Sequence, residues 1–245
     1  MMRILNIMIF VCSLFWLACQ KTVEVNEVVL IHASSPKLLA DGLSMDTVYA
    51  DLPINTLAAN LPLLFQATSG TFINGFDTMT IVANRTDLTP GKITAIAFFK
   101  ASLRPGLDTI LVSTYTIPQY VNYLQLTLDT VFADSVLVVP ATYTTPDSFG
   151  VALPVTGKLF NPLNGMVSSG MQVQFSDTTD SGQPAGGTFQ PQLMTVDSSA
   201  FSTLYFPPQL PPGSTTGIYV TIKAAVIVPA GSSGASGSAR IYISP

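Results

Sequence analysis

From residue 28 onward the chain alternates apolar residues with hydroxyl and other polar ones over short runs, and Gly, Pro, Asn and Asp interrupt those runs at short intervals. A period of two, rich in β-branched and aromatic types and punctuated in this way, describes half-buried strands joined by turns. Such runs fall at 28–33, 47–52, 63–67, 78–83, 92–100, 109–115 and 120–128. They resume at 135–143, 151–159, 171–176, 192–196, 201–206, 217–228 and 238–243. Each half therefore supplies about seven strands, enough for one two-sheet sandwich. Helical periodicity is weak. Residues 54–64 lie between Pro53 and Pro62 without a charged face and read as a loop leading into a strand.

The two halves repeat one another. Leu63-Leu64-Phe65-Gln66, Ser69-Gly70-Thr71-Phe72, Met79-Thr80-Ile81-Val82, Phe98-Phe99, Pro105-Gly106 and Ile110-Leu111-Val112-Ser113 follow in order in the first half. The second half answers with Val173-Gln174-Phe175-Ser176, Gly186-Gly187-Thr188-Phe189, Leu193-Met194-Thr195-Val196, Leu204-Tyr205-Phe206, Pro212-Gly213 and Ile218-Tyr219-Val220-Thr221. Both close on a hydroxyl-rich strand, at 121–128 and 239–244. Two copies of one module account for this order.

Ala40-Asp41-Gly42-Leu43-Ser44, Thr47-Val48-Tyr49-Ala50, the Phe65 strand and Ser69-Gly70-Thr71-Phe72 together resemble the bacterial immunoglobulin-like modules of intimin and invasin. The second half keeps Phe175 and Gly187-Thr188-Phe189 but lacks the Ala-Asp-Gly opening. The resemblance implies an all-β fold and leaves activity open, because its motifs are structural: glycine permits a turn, and phenylalanine fills the space between sheets.

At the amino terminus, Arg3 precedes an apolar run over residues 4–16 that closes on Leu17-Ala18-Cys19-Gln20-Lys21. A positive start, an apolar stretch short for a membrane span and a small residue before the cut describe a secretory peptide. Ala18-Cys19 resembles a lipobox, in which cleavage precedes a diacylated cysteine. Cys12 leaves with the peptide, so Cys19 is the sole cysteine of the mature chain and has no disulfide partner. Two or more acyl chains hold a protein stably on a bilayer.

Composition narrows the chemistry. With 10 Lys and Arg residues, scattered, and a net charge of -4, the chain has no basic patch for nucleic acid. Its single histidine, His32, lies in an apolar strand-like run, and its glutamates, Glu24 and Glu27, lie in the tether. There is no mature thiol nucleophile, nucleophile elbow or phosphate loop, so no catalytic residue is assigned. Asp177, Asp180 and Ser181 are too few for calcium and suit an Asx turn, so no metal or cofactor is expected. Tyr115, Tyr120, Tyr123, Tyr205 and Tyr219 are of a type that stacks on sugars, but aromatics at strand spacing also serve as core and cross-strand partners.

Asp followed by Thr or Ser and an aliphatic residue recurs at Thr47, Thr78, Thr109, Thr130 and Ser135. One reading is a turn aspartate entering a strand. The other is O-glycosylation, since the triplets resemble the glycan acceptor motif of exported Bacteroidota proteins, whose lipoproteins also often continue Cys-Gln-Lys. The same residues satisfy both.

The expectation is an all-β chain: two tandem immunoglobulin-like β-sandwich domains after a lipoprotein signal peptide. Residues 1–18 form the signal, 19–27 a lipidated tether, 28–130 the first domain and 131–245 the second. The tether spans at most ~30 Å when extended. The expected role is a non-catalytic, lipid-anchored cell-envelope protein, placed at the outer membrane, acting as a spacer, adhesion or partner-binding module toward protein or glycan. An accessory lipoprotein that captures carbohydrate for nutrient uptake is the alternative, and a subunit of a larger envelope assembly is a third class.

Overall fold

The computed structural model describes residues 29–53, 61–85, 91–115, 120–148, 150–162, 166–229 and 234–245. Every regular element among them is a strand. The first half holds β1 (Leu30–Ala33), β2 (Lys37–Leu39), β3 (Met45–Pro53), β4 (Pro62–Ala67), β5 (Thr71–Phe72), β6 (Thr78–Val82), β7 (Asn84–Arg85), β8 (Lys92–Lys100), β9 (Gly106–Thr114) and β10 (Val121–Asp129). These build two sheets, β1-β3-β8-β5 with β7 also on β8, and β2-β10-β9-β4-β6.

The second half holds β11 (Ser135–Pro140), β12 (Thr144–Pro146), β13 (Leu153–Phe160), β14 (Met171–Thr179), β15 (Thr188–Gln190), β16 (Leu193–Val196), β17 (Ala200–Phe206), β18 (Ile218–Ile227) and β19 (Ser236–Ser244). Its sheets are β11-β13-β17-β15 and β12-β19-β18-β14-β16. Strand for strand, this is the first topology without β7. In both copies the chain leaves the first sheet and adds a short strand parallel to the last one, β2 on β10 and β12 on β19.

All the runs read as strands are strands within the described residues, with shifted ends; Val28, expected to open the first, lies outside them. Two corrections follow. The run at 135–143 divides, because Pro140 has no N–H to continue the β11 ladder and the chain then crosses to the opposite sheet as β12. The repeat is also offset in two strands. Phe65 pairs with Val112 and Phe175 with Ala224, so Ile110 corresponds to Ile222 and not to Ile218. Leu63 pairs with Ile81 and Val173 with Met194, so Ile81 corresponds to Met194 and not to Thr195.

Alternation drives the packing. β14 buries Met171, Val173 and Phe175 while Gln172, Gln174 and Ser176 face outward. Each pair of sheets encloses its own core, one around Phe65, Phe72 and Phe99, the other around Phe175, Phe201 and Tyr205. The rings meet edge to face, Phe65–Phe72 and Phe72–Phe99 at 6.1 Å and Phe175–Phe201 at 5.5 Å. The repeated glycine has one physical cause in both copies: a Cβ on Gly70 would overlap the Phe99 ring, and one on Gly187 would lie 2.5 Å from the corresponding Tyr205 ring.

The sandwiches lie end to end. The first receives the chain at Val29, whose carbonyl accepts from Asn122 at the start of β10, and hands it on at the other end of that strand, where Ala40 N donates to Asp129 O. There Ser168, fully buried, forms the joint. Its hydroxyl donates to Ala40 O (2.8 Å) and accepts from Val131 N (2.8 Å), and its own N–H donates to Val131 O (3.0 Å). Ser169 N and Met166 N donate to Leu103 O (2.8 Å) and Asp41 O (3.3 Å).

Candidate functional site

Buried carboxylates are the first place to look for chemistry, and each is consumed by structure. Asp108, fully buried, accepts from Thr68 N, Thr68 Oγ1, Ser69 N, Ser69 Oγ and Gly70 N at 2.7–3.2 Å and so ties β9 to the β4–β5 turn. Asp177 accepts from Gly187 N and Tyr205 Oη, both at 2.8 Å. Burial first, then this bond to a carboxylate, pushes the Tyr205 phenol far above its ordinary range. Asp51 holds Thr94 Oγ1 (2.7 Å) and Lys92 Nζ (3.1 Å). His32 sits on edge strand β1, stacked on Tyr49 at 4.9 Å, with Nδ1 3.9 Å from Asp51 Oδ2. No hydroxyl or thiol is activated by it among the described residues.

The Asp177, Asp180 and Ser181 loop is likewise spoken for. Asp180 pairs with Arg240 (2.6 Å), whose guanidinium lies 4.1 Å from the Tyr219 ring centre. Among the described residues no group of three His, Cys, Asp or Glu side chains is placed to hold a metal.

The Asp-Thr/Ser triplets separate into two groups. Asp46 is buried and accepts from Ser35 N (2.9 Å), Asp108 is buried as above, and Thr47 and Thr109 are half-buried within β3 and β9. Thr78, Thr130 and Ser135 are exposed, as are the aspartates before them. Thr78 opens edge strand β6, while Thr130 and Ser135 flank the joint. Cys19, the signal and the tether lie outside the described residues.

Of the tyrosines considered as sugar platforms, Tyr205 is core. Tyr123 (63% exposed) and Tyr115 (60%) instead lie on the outer face of the β2-β10-β9-β4-β6 sheet. Outward positions along β10, β9, β4 and β6 hold Tyr, Val, Leu, Pro, Thr, Ser and Gln, with no charged residue before Asp129 at the end of β10. Leu111 lies opposite Tyr123, and Tyr115 Oη is 3.3 Å from Thr80 Oγ1. Charge depletion with exposed aromatics is the composition of an interface centre. The sequence carried this signal in the uncharged alternation of Val121-Asn122-Tyr123-Leu124-Gln125, without saying which face it covers.

No protein-family model matches the sequence, and no curated protein matches it. Solved structures do. The Yersinia pseudotuberculosis adhesin InvE superposes with a TM-score of 0.54 at 14% identity, covering 90% of this chain and 59% of that one. Invasin, described as a bacterial integrin-binding protein, gives 0.56 at 11% identity, covering 88% of this chain and 39% of that one. The chain thus spans less than two thirds of either. At such identities the likeness is one of fold: this is an all-β chain of tandem immunoglobulin-like sandwiches of the kind found in bacterial adhesins.

Proposed function

We propose that the chain is a lipid-anchored cell-envelope protein, exported by residues 1–18, acylated at Cys19 and carrying two non-catalytic folding units, 28–130 and 131–245, that present a contact surface to a protein or glycan partner. The observation that carries the contact role is the charge-poor, tyrosine-bearing outer face of the β2-β10-β9-β4-β6 sheet, where the charged residues, Lys37 and Asp129, lie at the far end of β10 from Tyr123. The joint supports it, since hydrogen bonds from Ser168, Ser169 and Met166 couple the units into one spacer. Integrin binding belongs to invasin, and what it lends here is a fold able to make surface contacts. The anchor rests on Arg3, the apolar run and Ala18-Cys19, and the outer membrane is the bilayer we assign to it. Thr78, Thr130 and Ser135 are the triplet positions open to a glycan.

Attachment of cells displaying the full-length chain to immobilised host or neighbour-cell surfaces tests the contact role. Tyr123→Lys with Leu111→Lys places charge at the centre of the face and is expected to reduce attachment at least about tenfold, as for loss of an interface hot spot. Lys223→Ala, on the second sandwich, is expected to leave it unchanged. Equal attachment by the double variant, at equal surface display, contradicts the assignment.

A further inference from the structure

Beside the Ser168 bonds, the two sandwiches enclose an open cleft of about 470 Å³. Thr68, Ser69, Ser102 and Arg104 line it from the first sandwich, Ser169 and Asp197 from the second. Arg104 and Asp197 are both exposed, and they do not pair with each other. Among the described residues neither side chain has an ion pair. A guanidinium and a carboxylate thus line one cleft, separated by more than ion-pair distance.

The wall beside them is fixed. Thr68 and Ser69 each give their one hydroxyl proton to buried Asp108, at 2.7 and 2.8 Å. With the Ser69 proton engaged, a bond across the 3.1 Å Ser69–Ser102 contact is donated by Ser102, whose one proton has Arg104 O at 3.3 Å as its other acceptor, and the Ser102 oxygen accepts from Arg104 N at 3.2 Å. The loop that carries Arg104 is held in turn from the second sandwich, since Leu103 O accepts from Ser169 N (2.8 Å) and Ser169 Oγ (3.2 Å). Oxygens held in this way offer lone pairs to an incoming hydroxyl, and little ordering remains for binding to supply.

We propose that this cleft binds a hydroxylated carboxylate, the acidic sugar unit of a glycan, with the carboxylate on Arg104 and the sugar hydroxyls donating to Asp197 and the serine oxygens. A neutral sugar leaves the guanidinium without an anion. A phosphate finds one cation and meets Asp197, and a metal ion meets Arg104. An acidic sugar supplies both the anion and the donors, and arginine pairs a carboxylate in a two-pronged geometry. The site is separate from the tyrosine-bearing face and does not depend on it.

Calorimetric titration of the full-length chain in detergent micelles with tetragalacturonate is the test, with maltotetraose and tetraglutamate as comparators. Saturable binding of tetragalacturonate is expected, weakened at least about tenfold by Arg104→Ala and by Asp197→Ala, as for loss of a charge-assisted pair. Lys223→Ala and Tyr123→Lys are expected to bind as the wild type does. Both cleft variants alter exposed side chains and are expected to melt at the wild-type temperature. No binding, binding of maltotetraose or tetraglutamate within about threefold of tetragalacturonate, or undiminished binding by Arg104→Ala would overturn the assignment.

Discussion

Gly70 shows how a single atom can decide a module. Its N–H donates to Asp108 (2.7 Å), and the face where a Cβ would stand is filled by the Phe99 ring and by Lys100 O at 2.7 Å. Gly70→Ala is expected to cost at least about 1–3 kcal/mol, the range for overpacking, seen as a lowered denaturation midpoint. An unchanged midpoint would refute the close packing. Tyr205 gives a pH-dependent expectation. Its phenol is raised in the folded state and titrates near 10 when unfolded, so its contribution is fully present below about pH 10 and fades as pH rises above that. Tyr205→Phe is expected to cost about 1.5–3 kcal/mol at pH 8, for a hydrogen bond to a charged group. Urea midpoints of the two proteins are then expected to converge above about pH 10, and a constant gap would contradict the shift. The Gly-Thr-Phe motif was legible in the sequence, but its cause was not, because the ring against each glycine arrives from β8 or β17. Asp108 was less legible still: in Asp108-Thr109-Ile110 it reads like any turn aspartate, and its donors come from residues 68–70.

Among elements, the long strands were legible because each carries several alternations with one face buried. β2, β5, β7, β12 and β15, at two or three residues each, carry no period to read. The parallel additions of β2 and β12 were hidden for the same reason, although they set the sandwich topology. The joint was hidden too. Val167-Ser168-Ser169-Gly170 looks like any polar loop, and what makes Ser168 a hub is that Ala40 O and Val131 N meet over it. Ser168→Ala leaves a buried acceptor without its donor and is expected to cost about 1–3 kcal/mol. It is also expected to loosen the coupling of the sandwiches, broadening the distance distribution between spin labels placed one on each sandwich. A distribution as narrow as the wild type's would show that the bonds from Ser169 and Met166 suffice to hold the joint.

For the molecule as a whole, two separate cores on one topology are joined end to end, the arrangement that the proposed spacer role requires. The fold was legible at this scale from the internal repeat, and the likeness to InvE and invasin agrees with it. A contact surface was legible only as a scarcity of charge, since alternation gives one face per strand and only the assembled sheet puts Tyr123, Leu111 and Tyr115 together. Where the chain is held matters most, because a tethered protein and a free one present that face to different partners. The direct measurement is detergent phase partitioning of the protein made in a lipoprotein-processing bacterium, with the mass of its amino-terminal peptide. The expected result is a chain in the detergent phase that begins at an acylated Cys19 and, for Cys19→Ala, a chain that is aqueous or keeps its signal. A wild-type chain in the aqueous phase, or one cleaved elsewhere with Cys19 unmodified, would contradict it.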